Sequence, residues 1–209
     1  MQFRTATAGL VLMLALAPAT VFAQGTGAAG TGGTATPQAA ASAGTTQAGD
    51  AEATHDQRTL SLGALSLLSS RIALEKAKDD DVKEFARFEV AEQETIAAVL
   101  KGMREPETTA AAGSASLKPP SPSDADVEAM LDSSGKEQVE KLRAAKAGDA
   151  FDKAYLKGQL QAHQQLLQTQ EDYLKTGRDR GHRTVAMLAA GQIREHMALL
   201  KDIGEDDKD

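Results

Sequence analysis

The stretch Asp149–Lys175, DAFDKAYLKGQLQAHQQLLQTQEDYLK, decides the fold. It runs without a proline. Leu156, Leu160, Leu167 and Leu174 fall on one line at 100° per residue, and His163 lies on that line with them. The helix stops at Gly177, a C-cap residue. The pattern predicts one long amphipathic helix with a histidine on its apolar face.

Three more helices of similar length flank it. Gly181 to about Ile203 repeats the helical period, with Asp179 as its cap and Gly204 at its end. Upstream, helical patterning covers about Asp56–Lys78 and then runs from the Asp79-Asp80-Asp81 cluster to about Met103, with Asp81 and Glu84 spaced as a capping box. Arg104–Ser123 carries Pro106, Pro119, Pro120 and Pro122 and reads as a loop. Two short helical stretches follow, Asp124–Leu131 and Lys136–Ala147, interrupted by Ser133-Ser134-Gly135. Helices of roughly 30–37 Å at 1.5 Å per residue, joined by tight, long and tight links, predict two antiparallel hairpins and a crossover. The expected architecture is all-α: a ferritin-like four-helix bundle over residues 54–203, with a long crossover between the second and third helices.

Composition agrees. The chain of 209 residues is 41% hydrophobic, 25% charged and only 3% aromatic, which disfavours an all-β sandwich. It has no cysteine, which excludes disulfides, thiolate metal sites and cysteine nucleophiles. A net charge of −7 argues against nucleic acid as a partner. There is no phosphate-cradling glycine loop and no Gly-x-Ser-x-Gly elbow, so no catalytic residue and no cofactor are expected.

Residues 1–23 read as a secretory signal: Arg4 supplies the positive n-region, Gly9–Ala17 the short apolar run, and Val21-Phe22-Ala23 the cleavage positions. The apolar run is about half of what a membrane span requires, so no stable membrane anchor is expected. Cleavage near Ala23 would send the protein to the periplasm or beyond it, secreted or in the outer envelope. Residues 24–53, rich in Gly, Ala and Thr, read as a disordered tether, and residues 204–209 as an acidic tail.

Several short motifs occur in a fixed order: Ile72-Ala73-Leu74-Glu75-Lys76-Ala77, Val82-Lys83-Glu84-Phe85-Ala86, then Phe151-Asp152-Lys153-Ala154-Tyr155-Leu156, and finally His163 and His196. In order and spacing this set resembles the exported bacterial proteins that carry domain of unknown function 4142. The resemblance covers about Thr54–Ile203 and implies a ferritin-like four-helix bundle in the periplasm or outer envelope, with no established activity. Its motif residues here are Phe151, Asp152, Tyr155, His163 and His196. The chain departs from the pattern at two places. Relatives often carry Asp-His where it has Glu92-Gln93, and an acid in the first helix where it has Ser66.

Helical spacing also places polar residues on inward faces. Glu89 and Gln93 lie within the apolar stripe of Val82, Phe85, Ala86, Ile96, Leu100 and Met103, and Gln192 and His196 lie between Val185, Leu188, Ala189, Leu199 and Ile203. With His163 these residues sit near the midpoints of their helices, so an antiparallel bundle brings them to one level. A buried carboxylate must be paired or protonated, and Arg71 or a charged histidine is the expected partner of Glu89. The simpler expectation is a structural hydrogen-bonded layer. The alternative is a mononuclear metal site of Glu89, His163 and His196, two imidazoles and a carboxylate suiting a first-row ion. A di-iron centre needs Glu-x-x-His on two helices, and the chain has one such pair, Glu52 and His55, in the tether region.

The first helix carries a second apolar stripe of Leu60, Leu67 and Leu74. Either the crossover covers it with Val127, Met130 and Leu131, or it is a surface for a protein partner or self-association.

Overall fold

The computed structural model describes residues 38–104 and 121–206. The signal segment, the first part of the expected tether and most of the proline-rich loop lie outside the described residues. Six helices follow one another: α1 (Gln38–Lys76), α2 (Asp80–Arg104), α3 (Asp124–Glu128), α4 (Ser133–Ala144), α5 (Asp149–Thr176) and α6 (Arg180–Asp206). The fold is all-α, and no helix among the described residues is long and apolar enough to cross a membrane.

Links of three residues join α1 to α2 and α5 to α6, making two antiparallel hairpins. Side-chain pairs set the hairpins against each other. Glu52 meets Tyr173, Ser66 meets Gln159 and Ser70 meets Tyr155, so α1 and α5 run antiparallel. The core between them gathers Leu65, Leu68, Ile72, Val82, Phe85, Phe151, Tyr155 and Leu156. The crossover helices α3 and α4 pack on α1, burying Val127, Leu131 and Val139 beside Leu67. They thus cover the second apolar stripe of α1 at Leu67 and Leu74, whereas Met130, expected to share in this, lies in the turn after α3 and is 43% exposed.

The motif residues explain how the hairpins lock. Phe151 and Tyr155 are core residues, whereas the Asp152 carboxylate accepts hydrogen bonds from the backbone N–H of Lys78 (3.0 Å) and Asp79 (2.9 Å). A buried charge at the base of α5 therefore closes the α1–α2 turn, satisfying donors that a helix junction leaves free.

Four local readings need correction. Residues 38–53, expected as tether, are the first part of α1. Their alanines, glutamines and Glu52 favour helix, extending an existing helix needs no new nucleus, and the Tyr173 hydroxyl donates to Glu52 Oε1 at 2.7 Å. The cap of α2 is Asp79, not Asp81: Asp79 Oδ1 accepts from the N–H of Asp81 and Val82 at 2.8 and 2.9 Å. Ser133-Ser134-Gly135 does not interrupt a helix but opens α4, because Asp132 accepts from the Gly135 N–H at 2.7 Å. The expected tail does not begin at Gly204, since α6 runs on to Asp206; one glycine costs a helix about 1 kcal/mol relative to alanine and does not by itself end it.

Gly177 caps α5 as expected, but with φ −65, a conformation open to any residue. What requires glycine is the Tyr173 ring, into which a Cβ at position 177 would run. Gly177→Ala is expected to displace that ring and destabilise the protein by about 1–3 kcal/mol, the usual cost of overpacking. Gly158→Ala, where a Cβ meets nothing within 4 Å in mid-helix, should stabilise by roughly 0.5–1 kcal/mol. Thermal melts of both variants against wild type check the contrast.

Candidate metal centre

The middle of the bundle is polar, as the helical spacing predicts. α2 contributes Glu89, Glu92 and Gln93, α5 contributes Gln159 and His163, and α6 contributes His196, while α1 adds Ser66. Glu89 and His163 are 0% exposed and His196 is 7% exposed. At that depth each polar atom must find a partner, and the partners define the site.

The two oxygens of Glu89 have different tasks. Oε1 accepts from the Gln93 amide at 2.8 Å and lies 2.5 Å from the Ser66 hydroxyl. Oε2 faces the imidazoles, 3.3 Å from His163 Nε2 and 3.1 Å from His196 Nδ1. Those two nitrogens are 3.3 Å apart, so the three atoms form a nearly equilateral triangle. Among the described residues this is the group of three potential ligands whose donor atoms all lie within 4.8 Å of one another.

The outer ring nitrogens are engaged away from the triangle. His163 Nδ1 lies 2.8 Å from the Gln159 carbonyl oxygen, which can only accept, so that nitrogen carries a proton and Nε2 is the atom turned inward toward Glu89. His196 Nε2 faces Glu92 Oε2 at 3.3 Å. A backbone carbonyl and a carboxylate on the outer nitrogens are the orienting partners that metal-binding histidines use. The Phe85 ring packs beside both imidazoles, with centroids 6.0 and 5.3 Å away.

Electrostatics follow from this crowding. Burial alone would raise the Glu89 pKa, but hydrogen bonds with His163 and His196 outweigh it and hold the carboxyl far below the ordinary range. Burial and the neighbouring Glu89 charge push Glu92 up to about 7. Burial opposes a charge on His196, yet its bond to Glu89 and the nearby Glu92 charge raise its pKa.

The triangle suits a metal ion. Glu89 Oε2, His163 Nε2 and His196 Nδ1 would together hold a first-row cation with bonds of about 2.1 Å. A cleft of about 440 Å³ lined by Phe88, Glu92, Gln192 and His196 reaches the imidazole of His196 from the surface.

Of the sequence-predicted layer, Glu89, Gln93, His163 and His196 meet. Gln192 stays at the rim, donating to Glu92 Oε2 at 2.6 Å. Arg71 does not pair with Glu89. It reaches Glu94 at 2.9 Å and also pairs with Asp124, because α1 turns it toward the crossover. Ser66 and Gln159 escaped the sequence reading as site residues. Gln159 lies one turn before His163, where a helix repeats its face, and its amide donates to the Ser66 carbonyl at 3.1 Å. Ser66 and Gln93, two positions at which the resemblance marks a departure, bond the same oxygen of Glu89.

Fold and site together define a class: an all-α protein whose four long helices enclose a buried two-histidine, one-carboxylate cluster. The chain belongs to the DUF4142 family, a domain of unknown function, whose model matches residues 35–203. Among solved structures it is similar to the crystal structure of a DUF305 fragment from Deinococcus radiodurans. That match has a TM-score of 0.53 and 18% identity, and covers 73% of this chain and 94% of that one, a likeness of fold alone. No match was found among curated proteins.

Proposed function

We propose that this protein is an exported helical-bundle module of the cell envelope that binds one divalent first-row transition metal ion through Glu89, His163 and His196, and that it acts by binding rather than by catalysis. One observation carries the metal reading: three buried donor atoms 3.1–3.3 Å apart, from three different helices. Neighbouring cis ligands around an ion with bonds of about 2.1 Å are spaced by about 3.0–3.4 Å. The outward-held N–H of His163 supports it further, since it presets the ring's lone pair toward the ion. A binding role is favoured by burial, because Glu89 and His163 expose no surface to a substrate. The signal pattern of residues 1–23 supports export, and the up-down-down-up order of the long helices supports a ferritin-like connectivity.

Elemental analysis of untagged protein recovered from its native compartment without chelator tests the reading. The expected result is about one transition-metal ion per chain at this site and a mass beginning at Gln24. A His163→Leu/His196→Leu variant that retains as much metal as wild type would overturn the assignment of the ligands, and an intact Met1 on the recovered protein would overturn export.

A further inference from the structure

α1 buries a second pair of polar residues, His55 and Asp56, with exposures of 2% and 1%. They lie about 15 Å along the helix from Ser66, at 1.5 Å per residue, and thus well away from Glu89. His182, near the start of α6, is 9% exposed and meets them there. Three atoms of this group, His55 Nδ1, Asp56 Oδ1 and His182 Nε2, are the buried side-chain polar atoms without a hydrogen-bond partner among the described residues.

Their surroundings settle what kind of partner they need. His55 Nε2 lies 2.7 Å from Gln170 Oε1, and the Gln170 amide nitrogen donates to the Thr59 hydroxyl at 3.0 Å, which sets the orientation of that amide. The His55 proton therefore sits on Nε2, and Nδ1 carries a lone pair. His182 Nδ1 lies 2.8 Å from Asp179 Oδ1, so its proton sits there and Nε2 carries the lone pair. Both lone pairs face Asp56 Oδ1, at 3.6 Å from His55 and 3.4 Å from His182. Acceptors facing acceptors in a buried place call for a cation between them.

We propose that His55 Nδ1, Asp56 Oδ1 and His182 Nε2 are a second site for a divalent transition metal ion of the zinc class. The spacings to Asp56 are close to the roughly 3.4 Å that separates ligands around a tetrahedral ion with bonds of about 2.1 Å. The outer partners, Gln170 on one imidazole and Asp179 on the other, hold the rings as second-shell groups do. The Asp56 carboxylate is oriented in turn by Arg104 Nε, 3.4 Å from Oδ2. The His55 ring is backed by Tyr173, stacked at 4.3 Å. This site is more open than the first, since its three atoms do not all lie within 4.8 Å of one another, and the two imidazoles would have to close over Asp56 to hold an ion. A cleft of about 780 Å³ bordered by Asp50, His55, Asp172 and Tyr173 reaches this group from the surface at His55. The rival occupant is a proton on one of the histidines.

The test counts Co(II) bound per chain by equilibrium dialysis of the chelator-stripped full protein, with the visible absorption of Co(II) reporting imidazole ligation. Wild type is expected to bind two ions, His182→Ala one, His163→Leu one, and the double variant none. Asp56→Asn, which preserves shape, should also lose one ion, and far-UV circular dichroism confirms that each variant is folded. Wild type binding a single ion that survives His182→Ala and Asp56→Asn but is lost in His163→Leu would overturn this second site and leave the first standing. One ion lost in His182→Ala and kept in His163→Leu would uphold the second site while removing the first. No binding in wild type would overturn both.

Discussion

Adding Zn(II) to the chelator-stripped protein is expected to raise its thermal midpoint strongly. A ligand that binds only the folded state stabilises by about 2.7 kcal/mol at a hundredfold excess over its dissociation constant, which for a domain of this size is on the order of 5–10 °C. The part of the gain that comes from the mid-bundle site should vanish in His163→Leu and in His196→Leu. Its pH dependence gives a second check, because metal and proton act in opposite directions. Glu92 is pushed up to about 7 from 4.5, so the folded state holds a proton that the unfolded chain has lost. His196 is raised above 6.5, and its contribution is likewise full below that value and lost as pH rises through the folded pKa. Glu89 is lowered, so its contribution is present above 4.5 and lost in acid. The metal-free protein should therefore lose stability from these groups as pH climbs from about 5 to above 7. The gain from Zn(II) should grow over the same range as the His196 imidazole is freed of its proton. Melts with chelator and with Zn(II) at about pH 5.5 and pH 8 measure both slopes, and equal slopes with no metal response would leave a purely hydrogen-bonded layer.

The second large effect is expected without any metal. His196→Leu takes from Glu89 one of the two imidazoles that hold it ionised, leaving a fully buried carboxylate with His163, Ser66 and Gln93. Breaking a buried pair by removing one partner typically costs about 3–5 kcal/mol, much of it the uncompensated charge. Glu89→Gln placed on top of His196→Leu removes that charge while keeping the side-chain shape. The double variant should then lie well above the sum of the two single losses, with a coupling on the order of 1–3 kcal/mol. The loss in His196→Leu should also shrink in acid, where Glu89 can take up a proton. Denaturant unfolding of the four proteins in the presence of chelator measures the cycle. Strict additivity would mean that Glu89 and His196 do not share a network.

Much of this was open to reading from residues in a row. The third long helix was expected over Asp149–Lys175 and is found over Asp149–Thr176, because its apolar line and glycine stop are local signals that agree. The meeting of Glu89, His163 and His196 was also legible. Each lies on an apolar face near mid-helix, and helices of matched length in antiparallel pairs must bring such midpoints level. The partner of Glu89 was not. Arg71 and the histidines were equally plausible in sequence, and only the rotation of α1, which aims Arg71 at the crossover, removed one of them.

The second cluster shows where such reading stops. His55 and Asp56 sit at the edge of a Gly, Ala and Thr-rich stretch whose composition argues for a tether, and His182 is far along the chain beside a helix cap. Nothing in either neighbourhood refers to the other. Sequence alone determined that this protein is all-α and how many long helices it has, because periodicity and capping are properties of short segments. It did not fix the buried face of α6, where Leu188 and Leu199, expected inward, are exposed and Ala186, Ile193 and Leu200 are buried instead. Tertiary structure decided which helix lies beside which, how far α1 reaches back toward Gln38, and which atoms of each imidazole and carboxylate face one another. Those outcomes depend on how whole faces rotate and interlock in close packing, and that is settled only when distant segments come together.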